Sequence, residues 1–172
     1  MSNVFDEGNL RFDFIAYDTV ERFDDKKNNS TGMKAVDFLA ETNDCLYFIE
    51  VKDFQHPKAP KDRRNKDFVM LTQEETKEHV QFILEMGEKI KDSLLRKYAE
   101  GYMFEKSVVY LLFINLDQLG EEECGQLKAK IRGHVPTGLD DARFRAFTKI
   151  SFDLVNASRL EKEYRIACAK KT

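Results

Sequence analysis

Apolar and polar positions along this chain of 172 residues change period several times, and each change marks an element. The stretch Val36–Phe54, VDFLAETNDCLYFIEVKDF, reads as two apolar strands, at about Lys34–Glu41 and Cys45–Phe54, joined by Asn43-Asp44. Both turn residues tolerate positive φ and suit a two-residue hairpin. If Thr42 and Cys45 close that turn, one face carries Asp37, Leu39, Glu41, Leu46, Phe48, Glu50 and Lys52. The other face carries Val36, Phe38, Ala40, Cys45, Tyr47, Ile49 and Val51 and is apolar throughout. A three-residue turn with a bulge would shift this register by one. Further on, Thr72 and Glu75 make a capping box, which predicts a helix over Gln73–Ala99. Its stripe is Val80, Ile83, Leu84, Gly87, Ile90, Leu94 and Tyr98, with Gly87 allowing close approach to a sheet. Val108–Leu116 is a continuous apolar run, the mark of a strand covered on both faces. Glu121–Ile131 runs from acidic to basic as a helix dipole prefers, and Gly133, Pro136 and Gly138 stop it. Phe147–Val155 alternates as a late strand with Ile150, Phe152 and Leu154 inward.

The remaining segments say less. Residues 1–9 read as a loose start. Leu10–Asp25 fits both periods: Phe12, Phe14 and Ala16 alternate like a strand, while Phe14, Tyr17, Val20 and Phe23 make a helical stripe. Lys26–Gly32 is a polar turn, and Ser158–Lys171 a charged tail with room for a short helix. A hairpin, a long helix and an apolar strand in that order agree with an α/β fold, a three-layer sandwich, as a single domain over residues 1–172.

Charge and composition narrow the classes. A net charge of −3 and a pI near 5.7 weaken any expectation of indiscriminate nucleic-acid binding. The charge is uneven, however. His56–Lys66, HPKAPKDRRNK, holds Lys58, Lys61, Arg63, Arg64 and Lys66 against the single acid Asp62. Pro57 and Pro60 make it read as a loop, and it begins four residues after Lys52, where it could meet a phosphate backbone. No apolar run reaches the roughly 20 residues a bilayer needs, and the start of the chain has neither a basic region nor an apolar signal core, so the expectation is a cytoplasmic protein without a membrane partner. Cys45, Cys124 and Cys168 show no zinc spacing. His56, His79 and His134 are isolated and read as surface or capping residues. Lys77, Gln81, Lys89 and Lys91 flank the long helix's stripe and read as its solvent face.

The hairpin carries the chemistry. In the two-residue register Asp37 faces Glu50 across the ladder, with β-carbons roughly 5 Å apart, and Lys52 shares their face. Charged groups are costly in buried strands unless something pairs with them. Two carboxylates at that separation repel, and a divalent cation between them relieves the repulsion. Hard oxygen ligands suit Mg²⁺ or Mn²⁺, and the Val51 carbonyl adds a neutral oxygen. Lys52 is then placed to stabilise charge on a phosphate or to orient an attacking water. The competing explanation is a plain Glu50–Lys52 ion pair on a half-exposed strand. The apolar flanks argue against it, because a solvated strand alternates strictly.

Asp37 followed by Glu50-Val51-Lys52, each in apolar strand context, resembles the PD-(D/E)xK nuclease superfamily, the restriction-endonuclease-like fold. The motif covers about twenty residues and the order of elements about residues 30–115. The resemblance implies a central mixed sheet flanked by helices in an α-β-β-β-α-β core, Asp37 and Glu50 as metal ligands and Lys52 as the catalytic lysine. It implies a Mg²⁺-dependent hydrolase, an endo- or exonuclease acting on nucleic acid with DNA the foremost expectation, and a homodimer where both strands of a duplex are cut. It also leaves open a non-catalytic nucleic-acid-binding or protein-interaction module on the same fold, since some members have lost catalysis. Val36 stands where the family name has proline. Many members carry a further acid on the helix before the hairpin, for which Glu7 and Glu21 are the choices. In related folds the helix after the hairpin lines the active site, which would let one of Lys77, Gln81, Lys89 and Lys91 contact substrate, with the solvent face the preferred reading.

Overall fold

Asn43-Asp44 does close a hairpin. The Thr42 N–H donates to the Cys45 carbonyl at 2.9 Å, and Phe38, Leu39, Ala40 and Glu41 pair with Ile49, Phe48, Tyr47 and Leu46. That is the register of the two-residue turn. The computed structural model containing it describes residues 3–24, 32–55, 61–73, 76–141, 143, 147 and 149–171, with the side chains of residues 61, 62, 64 and 140 left aside. In chain order the elements are β1 (Val4–Glu7), β2 (Leu10–Phe14), β3 (Thr19–Arg22), β4 (Phe38–Glu41), β5 (Cys45–Asp53), α1 (Lys61–Thr72), α2 (Lys77–Ala99), β6 (Ser107–Asn115), α3 (Glu121–Arg132), a 3-10 turn at Thr137–Asp140, β7 (Ile150–Val155), α4 (Ala157–Tyr164) and β8 (Ile166–Lys170).

The main sheet has the order β3-β4-β5-β6-β7 and is mixed. β3, β4 and β5 form an antiparallel meander, and β6 and β7 continue it in parallel. Leu39, Leu46 and Phe48 share one face with Val108, Tyr110 and Leu112, under a cover that includes Ile83, Met86 and Ile90 of α2 and Leu127 and Ile131 of α3. Phe38, Ala40, Ile49 and Val51 share the other face with Leu111 and Phe113. That second face is covered by a small sheet of order β1-β2-β8 together with Leu160 of α4. The fold is thus layered α/β, with helices over one face and chiefly a second sheet over the other. Among the described residues no helix is long and apolar enough to cross a membrane.

Several sequence expectations are corrected. Residues 1–9 contain β1, and Leu10–Asp25 resolves into two strands, so no helix precedes the hairpin among the described residues. The tail has the short helix it had room for, α4, and beyond it a strand, β8, that its sequence did not predict. Strands β1 and β8 exist because each pairs with β2 from opposite ends of the chain, Phe12 standing opposite Phe5 and Cys168. Such long-range pairing leaves no local period to read. The basic stretch is helical from Lys61 onward. Residues 56–60 lie outside the described part. Thr72 ends α1 rather than capping α2, and its hydroxyl donates to the Phe68 carbonyl at 2.7 Å. Thr76 caps α2, accepting from the His79 N–H at 3.2 Å, while Glu75 lies outside the described residues. Val36 packs with the α2-side core rather than with Phe38, because it precedes the paired part of β4.

The buried face of α2 is also rotated from the predicted stripe. His79, Phe82, Ile83, Met86, Gly87, Ile90, Ser93 and Leu94 are buried, while Val80, Leu84 and Tyr98 face water. Gly87 approaches α3's trailing turn rather than the sheet. A Cβ there would lie 2.6 Å from the His134 Cβ and 3.0 Å from the His134 carbonyl oxygen. Gly87→Ala would gain roughly 1 kcal/mol of helix propensity yet force that contact apart. The expected result in urea titration is a net destabilisation of about 1–2 kcal/mol; a stabilised variant would contradict the close approach.

Candidate functional site

Three segments meet over the end of the β4–β5 hairpin. Asp37 stands just ahead of β4, Glu50 and Lys52 project from β5, and α2 contributes Glu85 and Lys89. Asp37 is fixed from several sides. Its carbonyl accepts from the Phe23 N–H at 2.8 Å. The preceding Val36 N–H donates to Ser93 Oγ of α2 at 3.0 Å, and the Lys34 N–H donates to Asp92 Oδ2 at 2.9 Å. The start of β4 is therefore latched to α2, and the hairpin register does the rest. Asp37 falls beside Glu50, and its Oδ2 accepts from the Val51 N–H at 2.6 Å.

Glu50 is fully buried and Asp37 is only 6% exposed. The two oxygens of Glu50 differ sharply. Oε1 accepts from Lys89 Nζ at 2.6 Å and lies 3.0 Å from Lys52 Nζ. Oε2 is buried and has no partner among the described residues. Lys52 reaches onward to Glu85 Oε1 at 3.5 Å, and its side chain remains 23% exposed, so the cluster opens to the surface there. Below it, Tyr110 is fully buried with its hydroxyl 3.9 Å from Met86 Sδ. Burial first, then the charges of Glu50, Asp37 and Glu85, push that phenol well above its ordinary value, so it stays neutral.

The electrostatics separate the roles of the members. Burial, followed by the charge of Glu50, pushes the Asp37 carboxyl up to about 8, against partial relief from Lys89 and the Val51 N–H. Burial pulls the Lys52 pKa down, but Glu50, Glu85 and Asp37 more than offset it, and the net shift is upward. Lys52 is therefore a firm ammonium at neutral pH, suited to stabilising an anion and unsuited to taking a proton. This arrangement fits a divalent cation. Glu50 offers a buried oxygen with nothing on it, and Asp37 keeps a proton for want of a counter-charge; a hard cation between them would relieve both. Among the described residues no third His, Cys, Asp or Glu joins the pair as a ligand set. Glu7 is engaged by Arg22, and Glu21 pairs at the surface with Lys97 at 3.1 Å.

Asp37, Glu50 and Lys52 come together as the hairpin register requires. Lys89 was read as a solvent-facing residue and instead lies on Glu50, because the rotation of α2 turns it toward the sheet. Glu85 had no local signal beyond its i, i+4 spacing from Lys89. Of the basic stretch, Arg63 and Lys66 stand exposed on α1, outside this ion-pair cluster. Lys58 and the side chains of Lys61 and Arg64 lie outside the described residues. Buried His79 ties α2 to α1 through Nδ1 and the Met70 carbonyl at 2.8 Å. No family model matches this chain, and neither a curated protein nor a solved structure matches it.

Asp37 binds its proton more tightly in the folded chain than its ordinary value of 3.8 allows in the unfolded one. Its contribution to stability is complete below about pH 4 and is lost as pH rises through about 8. In EDTA, wild type should therefore lose about 4 kcal/mol relative to Asp37→Asn between pH 5 and pH 9. Denaturant titrations at both pH values check this, and parallel stability profiles would contradict a buried, protonated Asp37.

Proposed function

We propose that this chain is a metal-dependent phosphodiesterase acting on nucleic acid, a nuclease of the PD-(D/E)xK kind with DNA as the first substrate to test. One observation carries the reading: two carboxylates and a lysine ammonium converge at the end of one β hairpin, and the buried carboxylate keeps an oxygen without a partner. The order of elements gives further support. The antiparallel meander β3-β4-β5, helices α1 and α2, and the parallel strand β6 follow the β-β-β-α-β part of the core that the motif implies. The leading helix of that core has no counterpart among the described residues.

On this reading Asp37 and Glu50, with the Val51 carbonyl, hold Mg²⁺ or Mn²⁺. The ion, when bound, supplies neutralisation of charge at the scissile phosphate and acidifies water. Lys52 supplies a fixed positive charge against the negative charge that grows on the phosphoryl oxygens. Its two carboxylate partners orient the ammonium toward the open side of the cluster. Asp37 would have to give up its proton to serve as a ligand, which would couple loading of the site to pH. Exposed Arg63 and Lys66 of α1 offer charge to a phosphate backbone, the role expected of Lys58, Lys61 and Arg64 as well. A homodimer is the arrangement that would let this one-domain chain cut both strands of a duplex.

A second reading has its own observation. Lys52 and Lys89 already place two ammonium groups on Glu50, which is how a purely structural ion cluster would neutralise it. A non-catalytic binding module built this way would hold nucleic acid or protein without cutting. The readings separate in one assay: cleavage of plasmid, linear and single-stranded DNA and of RNA, with Mg²⁺ or Mn²⁺ and with EDTA. Wild type should cut only with the metal, and Lys52→Ala should cut at least about 100-fold more slowly while keeping its circular dichroism. Equal cleavage by both proteins, or binding without cleavage at saturating metal, would remove the enzymatic reading.

A further inference from the structure

Glu50 is loaded unevenly, and the imbalance singles out one lysine. Its Oε1 carries both ammonium groups, while its buried Oε2 carries none. The two lysines are not equivalent. Lys52 has a second carboxylate within reach, Glu85 at 3.5 Å, so it keeps a partner if Glu50 is taken by something else. Lys89 has Glu50 as its one ion-pair partner among the described residues, makes the shorter contact at 2.6 Å, and is the more enclosed side chain at 16% exposed against 23%. It comes from a different layer as well, reaching down from α2 onto the sheet.

We infer that Lys89 is a tethered competitor for the cation at this site: its ammonium neutralises Glu50 through Oε1 in the metal-free protein and is driven off that oxygen as the carboxylate takes up a divalent ion. The inference rests on the metal-dependent reading above. A divalent ion binds carboxylate oxygens at roughly 2.0–2.6 Å. A lysine ammonium hydrogen-bonded to the same carboxyl group would then face two positive charges across a buried, low-dielectric gap. Glu50 cannot keep both cations at full strength. Lys89 can leave without leaving a charge buried, because its four-carbon stem reaches water and Glu85 lies one turn earlier on α2 to receive it. Lys52 meanwhile stays with Glu85 and the open side of the cluster. Lys89 thereby sets how tightly the site holds metal, and it guards Glu50 against standing unpaired when metal is scarce.

Isothermal titration of Mn²⁺ into the full chain tests this. Lys89→Met keeps the length of the side chain and removes its charge, so it should bind Mn²⁺ at least about tenfold more tightly than wild type. Lys89→Arg keeps the charge and should bind no more tightly than wild type. If wild type binds Mn²⁺ and Lys89→Met binds it no more tightly, the competitor role fails while the metal site stands. If neither protein binds Mn²⁺, the metal-dependent reading fails and the competitor role with it. Should Lys89→Met not fold, carbon-13 NMR of the lysine ε-methylenes in wild type decides the matter, with the Lys89 signal assigned from its absence in Lys89→Arg. Saturating Mg²⁺ should move that signal toward the position of a solvated lysine, and a signal that stays in place would overturn the inference.

Discussion

Two carboxyl groups held side by side at the open end of a buried β hairpin are expensive, and the region around the hairpin is arranged around that cost. Burial and the charge of Glu50 leave Asp37 protonated near neutrality, while Glu50 takes two ammonium groups on one oxygen and none on the other. A core that merely needed filling would hold apolar side chains at these positions, since replacing a buried ion cluster by hydrophobic residues is often neutral or favourable. Here the surrounding strands are apolar and densely packed, which shows that the local environment could have accepted such residues.

The chain contains its own contrast. Asp153 is a third buried acid, and every need it has is met. Lys128 Nζ lies at 2.7 Å, Arg159 Nη2 at 2.9 Å, the Tyr164 hydroxyl at 2.7 Å and the Leu154 N–H at 2.9 Å. Burial alone would raise that carboxyl, yet these partners hold it below its ordinary value. Asp153 reads as an anchor that ties α3 and α4 to β7. The Asp37–Glu50 pair shares its burial and lacks its satisfaction. That difference in hydrogen bonding, more than charge itself, is what supports the proposal of a ligand at the hairpin end.

The hairpin was legible because its information is local. Asn43-Asp44 sets the turn, strand alternation sets the faces, and the two together place Asp37 against Glu50 and Lys52 on their side. The apolar run of β6 and the acidic-to-basic gradient of α3 are local in the same way. What was hidden depends on partners distant in sequence. Phe12 makes a strand of β2 only by lying between Phe5 and Cys168. The phase of α2 could not be set from its own apolar residues, since Val80 and Leu84 compete with Phe82 and Met86 for the same face. Ser93 against Val36 and Gly87 against His134 decide it, and that decision carries Lys89 from the solvent onto Glu50.

If the hairpin end is a cation site, a heavy divalent ion should find it without any substrate present. The most direct measurement is anomalous diffraction from crystals soaked in Mn²⁺. A peak between the Asp37 and Glu50 carboxyl groups, within coordination distance of both, is the predicted result. A map with Glu50 still paired to Lys89 and no anomalous density between the two acids at saturating Mn²⁺ would contradict it.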